Sequence, residues 1–159
     1  MQDRQDGATL FACLERADGR ERWREHRDRR GDEEITLTGV DLTSCSLRGY
    51  DLSDLNLCKA RLTRADLTGA DFADAWLCYA DLRGARLDRA HLVQADLRQA
   101  VLNGARLRDA DLRGACLKGA NLASADLTGA DLTDADLTGA NLRGACLRYA
   151  RLAGCGLMG

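Results

Sequence analysis

From Ile35 to Gly159 the chain is an unbroken run of five-residue units, 25 in succession without an insertion: ITLTG, VDLTS, CSLRG, YDLSD and onward to CGLMG. The central position is leucine in every unit except at Phe72, and two residues earlier stands alanine in 19 of the 25, continuously from Ala60 to Ala150. Apolar residues therefore recur at alternating spacings of two and three. That pattern fits neither the 3.6 period of a helix nor the strict alternation of a long strand. Each unit reads as a very short strand plus a corner, and corners of one sense wind a chain into a solenoid with the leucines and alanines along its axis. The expectation is an all-β solenoid over residues 35–159, preceded by a distinct segment, residues 1–34.

The A-(D/N)-L-x-x pattern, written as ADLTG at 65–69 and 125–129 and as ANLRG at 140–144, resembles the pentapeptide-repeat family over about four-fifths of the chain. The resemblance implies a right-handed quadrilateral parallel β-helix, with one pentapeptide per face and four per coil. On that basis 25 units make about six coils, a column roughly 30 Å tall at ~4.8 Å between parallel strands. Each buried leucine contributes about 1.5 to 3 kcal/mol, so the ladder can offset the ordering entropy although no large side chain fills it. Alanine at the other inward position keeps the coil narrow.

A stack of coils has a raw edge at each end, where unpaired backbone and apolar side chains invite another chain. At the start, Ile35, Val40, Cys45, Tyr50 and Leu55 replace the alanine column with larger groups that plug the first coil. Residues 1–34 are expected to form a partly helical outer cap. Leu10, Phe11, Leu14 and Ala17 make a helical stripe, Thr9 is a candidate N-cap, and Gly19 is expected to end or bend that helix. The stretch Arg20 to Arg30 carries six arginines and three acids. It reads as a second, solvated helix with Trp23 docked on the rod, against the alternative of an arginine arm for nucleic acid or an acidic surface. The far end closes in register on CGLMG, so Leu152, Leu157 and Met158 are the candidate contacts of a homodimer formed about a twofold axis. Family members that inhibit topoisomerases commonly dimerise at this end, often through a C-terminal helix, which is not seen here.

Sorting outward residues with a 20-residue period gives three faces of formal charge +1, +2 and +2, and a fourth of −5. The acidic face carries Asp51, Asp54, Asp71, Asp74, Asp111, Asp131 and Asp134, opposed only by Arg113 and Arg151 and interrupted by His91. Stacked carboxylates concentrate negative potential. An aspartate before the leucine also belongs to the repeat, where a short polar side chain bonds nearby backbone. The second acids, Asp54, Asp74 and Asp134, stand where many units have glycine and are less easily read as corner chemistry. The family resemblance implies a function for such a face: some pentapeptide-repeat proteins imitate duplex DNA in the saddle of a type II topoisomerase and so protect it from quinolones. The expectation is thus a non-enzymatic interaction rod, with DNA gyrase or topoisomerase IV as the specific partner and a scaffold or adaptor for another cytosolic protein as the alternative.

In the unit AWLCY, Trp76, Cys78 and Tyr79 project outward together. Clustered tryptophan and tyrosine anchor interfaces. They read equally as a partner contact patch or as a satellite core under the N-terminal segment. Cys45 and Cys155 replace inward alanine as small buried hydrophobes, and Cys58 and Cys78 share an outward column, where a free thiol pair is expected over a disulfide. Seven cysteines, an odd number, form no disulfide framework, and the start MQDRQDGATL lacks a secretory pattern, so the chain reads as reduced and cytoplasmic. No apolar run reaches the ~18 residues of a membrane span. Totals of 23 basic and 25 acidic residues leave no excess to draw the chain onto nucleic acid or lipid. With two histidines and 4% aromatic residues, no catalytic, cofactor or metal constellation emerges.

Overall fold

The computed structural model describes residues 10–12, 14, 17–31 and 35–157. From Thr36 onward each residue preceding the central leucine forms a single parallel bridge to the residue 20 positions ahead, from Thr36 with Asn56 to Asp136 with Gly156. The 20-residue register therefore holds along the whole described repeat. One unit shows how the coil is tied: the Leu57 N–H donates to the Trp76 carbonyl at 2.7 Å, and the Lys59 N–H donates to the Cys78 carbonyl at 2.8 Å. Within the turn, the Ala60 N–H donates back to the Leu57 carbonyl at 3.0 Å.

The corner requires an unusual backbone. Every described residue two after the leucine, from Gly39 to Gly154, has positive φ, between 55° and 73°. Glycine adopts this region without penalty, and aspartate tolerates it better than most other side chains, so the conformation explains both the glycines and the second acids. Inside, Leu57 through Leu137 and the alanines from Ala60 through Ala135 are buried, as is Phe72. At the first coil Ile35, Tyr50 and Leu55 are buried, whereas Val40 and Cys45 are only half-buried. Cys155 is half-buried too, so neither inward cysteine is the fully buried hydrophobe expected.

Helix α1, Gly19–Arg30, lies against the first coil. Gly19 is buried and opens this helix after a turn at Ala17 and Asp18; it does not close the preceding one. Arg27, Arg29 and Arg30 occupy the last turn, where positive charge suits the helix dipole. Trp23 is fully buried and its indole N–H donates to the Asp51 carbonyl at 2.7 Å. Of the expected apolar stripe, Leu10 is buried and Leu14 half-buried, while Phe11 and Ala17 are exposed, so it is only partly used. Thr9 lies outside the described residues.

At the opposite end the core opens. Leu142 and Leu147 are half-buried, Leu152 and Leu157 are 37% and 57% exposed, and Met158 lies outside the described residues. Among the described residues no carbonyl accepts from the N–H groups of Leu142, Leu147 or Leu152, which in earlier coils bond the next coil.

Candidate functional site: an acidic ladder on a rigid face

Register alone brings the sequence-predicted acids together. Asp51, Asp71, His91, Asp111, Asp131 and Arg151 form one continuous ladder of parallel bridges. Asp54, Asp74 and Asp134 lie in the adjoining corner column, exposed and with φ near 57°.

The ladder carboxylates first serve their own turns. Asp71 accepts from the Ala73 N–H at 3.0 Å, and Asp131 accepts from the Thr133 N–H at 3.0 Å and its hydroxyl at 2.5 Å. The same bond recurs on other faces, as at Asp66 with Thr68 and Asp126 with Thr128, so it belongs to the repeat and not to this face. Cations then neutralise part of the column. Arg113 grips Asp111 with two bonds, at 2.8 and 2.7 Å, and holds its carboxyl below the usual range. The Thr133 hydroxyl does the same for Asp131, with Arg151 adding a pair at 3.4 Å. At the first coil Arg27 of α1 pairs with Asp51 and donates to the Ser53 carbonyl at 2.8 Å. The arginine-rich segment does engage an acidic surface, and that surface is the chain's own.

Among the described residues, Asp54, Asp71, Asp74 and Asp134 keep no cationic partner. The face thus resolves into one acidic patch at Asp54, Asp71 and Asp74 and a second at Asp134, with Asp131 beside it. The part played by Arg27 and Ser53 was hidden in the sequence, because nothing in an arginine-rich helix says which acid it will meet.

Trp76 and Tyr79 are 51% and 60% exposed. Helix α1 docks at Asp51 and Ser53 and leaves them uncovered, which corrects the reading of a satellite core. Beside them Cys58 and Cys78 form a disulfide, with Cα atoms 4.7 Å apart. The expected free thiol pair is corrected: the two sulfurs bond across the coil spacing, which falls within the 4.4 to 6.8 Å that a disulfide spans. Tyr149, 80% exposed with Arg148 against its ring at 5.6 Å, is a further aromatic that the pattern did not single out.

Two open depressions mark the described surface. One lies between α1 and the first coil, lined by Gly19, Arg20, Ser46, Arg48 and Tyr50 among others, and one is lined by Thr43, Thr63, Arg64 and Arg83. Among the described residues no three metal-ligating side chains converge, and no helix is long and apolar enough to cross a membrane.

The pentapeptide-repeat family model matches residues 36–74, 80–119 and 120–155, in 8 copies. A solved pentapeptide repeat protein, Rfr23 from the cyanobacterium Cyanothece 51142, is 27% identical over 84% of this chain and 99% of its own, with a TM-score of 0.53. A pentapeptide repeat protein of the Arabidopsis thaliana thylakoid lumen is 31% identical over 68% of each chain, with a TM-score of 0.45. QnrB1, a plasmid-mediated fluoroquinolone resistance protein, is 22% identical over 77% of this chain and 64% of its own, with a TM-score of 0.45. No curated protein sequence matches the chain. A family match over well more than half the sequence, joined to the 20-residue parallel register, makes the chain a member of the pentapeptide-repeat family, whose proteins fold as right-handed quadrilateral β-helices.

Proposed function

We propose that this chain is a non-enzymatic protein-interaction rod of the cytoplasm, and that the face running from Asp51 to Asp134 binds the cationic DNA-binding surface of a type II topoisomerase, DNA gyrase or topoisomerase IV. The observation that carries this reading is the bridged acidic column on a face that its own backbone keeps rigid. A groove built for duplex DNA reads phosphates more than bases, so fixed carboxylates at regular spacing are what it can accept. Magnitudes limit the imitation: duplex DNA carries one phosphate per ~1.7 Å of axis, whereas this face has at most two carboxylates per ~4.8 Å coil. Contact is therefore made at two acidic patches about 14 Å apart, three coils from Asp74 to Asp134, and not along the whole rod. Such exposed charge is screened by salt, so binding weakens as ionic strength rises.

Supercoiling by purified gyrase, with and without a quinolone, tests the reading. Inhibition or protection at micromolar concentrations supports it, and neither effect sinks it. Reversing Asp71, Asp74, Asp131 and Asp134 to lysine should abolish binding; binding that survives assigns the contact to another face.

The exposure of Trp76 and Tyr79 favours a second reading, an adaptor that holds another cytosolic protein by this aromatic patch. Loss of capture on Trp76→Ser with the acidic face intact would select it. In either reading the C-terminal coil pairs two copies through Leu152, Leu157 and Met158.

A further inference from the structure

Cys58 and Cys78 occupy the same position of successive coils, and their Cα atoms stand 4.7 Å apart. That separation is the ordinary spacing between parallel strands, ~4.8 Å. The bond thus forms across a gap that the ladder would hold without it. The backbone on either side is tied independently: the Leu57 N–H donates to Trp76 at 2.7 Å, the Lys59 N–H to Cys78 at 2.8 Å, and the Trp76 N–H to Leu55 at 2.9 Å. Beneath them Leu55, Leu57, Ala75 and Leu77 are buried. Breaking the sulfur bond leaves two thiols still face to face.

Access is open. Both cysteines are half-buried, and Lys59, Trp76 and Tyr79 beside them are exposed. The two units that hold the pair, LNLCK and AWLCY, contain no carboxylate, and Lys59 directly follows Cys58. The other described cysteines have no such neighbour: Cys45 stacks on Ala65, Cys116 on Asp96 and Asp136, Cys146 on Asp126, and Cys155 on Ala135.

We propose that Cys58 and Cys78 form a reversible thiol–disulfide site for small-molecule thiols, set into the rod's surface beside Trp76 and Tyr79, which opens and closes without unfolding the coil. In the opening direction a small thiolate attacks one Sγ, forms a mixed disulfide and displaces the other cysteine as thiolate, which takes up a proton. A second small thiol then displaces the first cysteine. Two small thiols are oxidised to one disulfide, and the protein bond is reduced by two electrons. An oxidised small disulfide runs the same steps backward. A chain of this kind can then work in a reducing compartment as a dithiol and in an oxidising one as a stapled rod.

The test uses the full chain, purified without reductant, alkylated in its folded state and digested with trypsin. Cleavage after Arg48, Lys59, Arg64 and Arg83 places Cys58 in peptide 49–59 and Cys78 in peptide 65–83. These two should appear linked, and the linked pair should disappear in dithiothreitol and return as reduced glutathione is exchanged for oxidised. Circular dichroism should stay constant throughout. In Cys78→Ser, oxidised glutathione should accumulate as a mixed disulfide at Cys58, an adduct absent from the native chain at equilibrium. Alkylation of both cysteines at every glutathione ratio overturns the proposal. So does a bond that resists dithiothreitol while the chain is folded, or one whose reduction abolishes the β-helical spectrum.

Discussion

An aspartate in this chain is first a piece of turn chemistry and only second a charge. Asp126 shows the order. Its carboxyl accepts from the Thr128 hydroxyl and N–H and from Arg108 at 2.6 Å, and these bonds hold it down at about 2. Because the folded value lies below the ordinary ~3.9, the stabilisation is complete above that value and is lost as pH falls through about 2. Asp126→Asn should therefore flatten the acid limb of the unfolding curve between those two values, as followed by circular dichroism. An acid limb left unchanged by the substitution would show that these bonds do not set it. Inward positions obey a stricter rule. Ala105 is fully buried between neighbouring coils, and Ala105→Leu should overpack the axis at about 1 to 3 kcal/mol in denaturant unfolding. The same substitution at half-buried Ala145, on the open final coil, should be nearly neutral.

At the level of elements, the β-helix and α1 rely on different sources of order. Each coil is templated by its neighbours, whereas a 12-residue helix is marginal alone in water. Docking keeps α1 folded, chiefly through the buried Trp23 and the bond from Arg27 to Asp51. Trp23→Ala should cost about 3 to 5 kcal/mol at that contact. The expected outcome is loss of helical ellipticity with the β-helix intact; an unchanged spectrum would show that docking rests elsewhere. The disulfide acts mainly on the unfolded chain. Closing a 20-residue loop, it should contribute about 3 kcal/mol, so Cys58→Ser should lower the denaturant midpoint of the oxidised protein and leave that of the reduced protein nearly unchanged.

For the molecule as a whole, the asymmetry of the two ends matters most. One end carries α1, docked on the first coil through Trp23, while at the other Leu152 and Leu157 are exposed and, among the described residues, no carbonyl accepts from the Leu152 N–H. A twofold pairing of two such ends hides both at once. Light scattering across micromolar concentrations should therefore report a dimer, and Leu152→Asp with Leu157→Asp should report a monomer of unchanged fold. A native monomer across that range rules the pairing out. The repeat itself determined the solenoid, its inward leucines and alanines, and the sorting of Asp51, Asp71, Asp111 and Asp131 into one column, because a coil whose every unit meets only its neighbours converts period directly into position. The tertiary structure decided what period cannot encode: that Arg27 returns across 24 residues to neutralise Asp51, that Trp76 remains uncovered, and that Cys58 and Cys78 come within bonding reach. Those contacts depend on where a non-repeating helix docks and on how closely side chains approach across coils. Packing sets both, and no five-residue pattern carries that information.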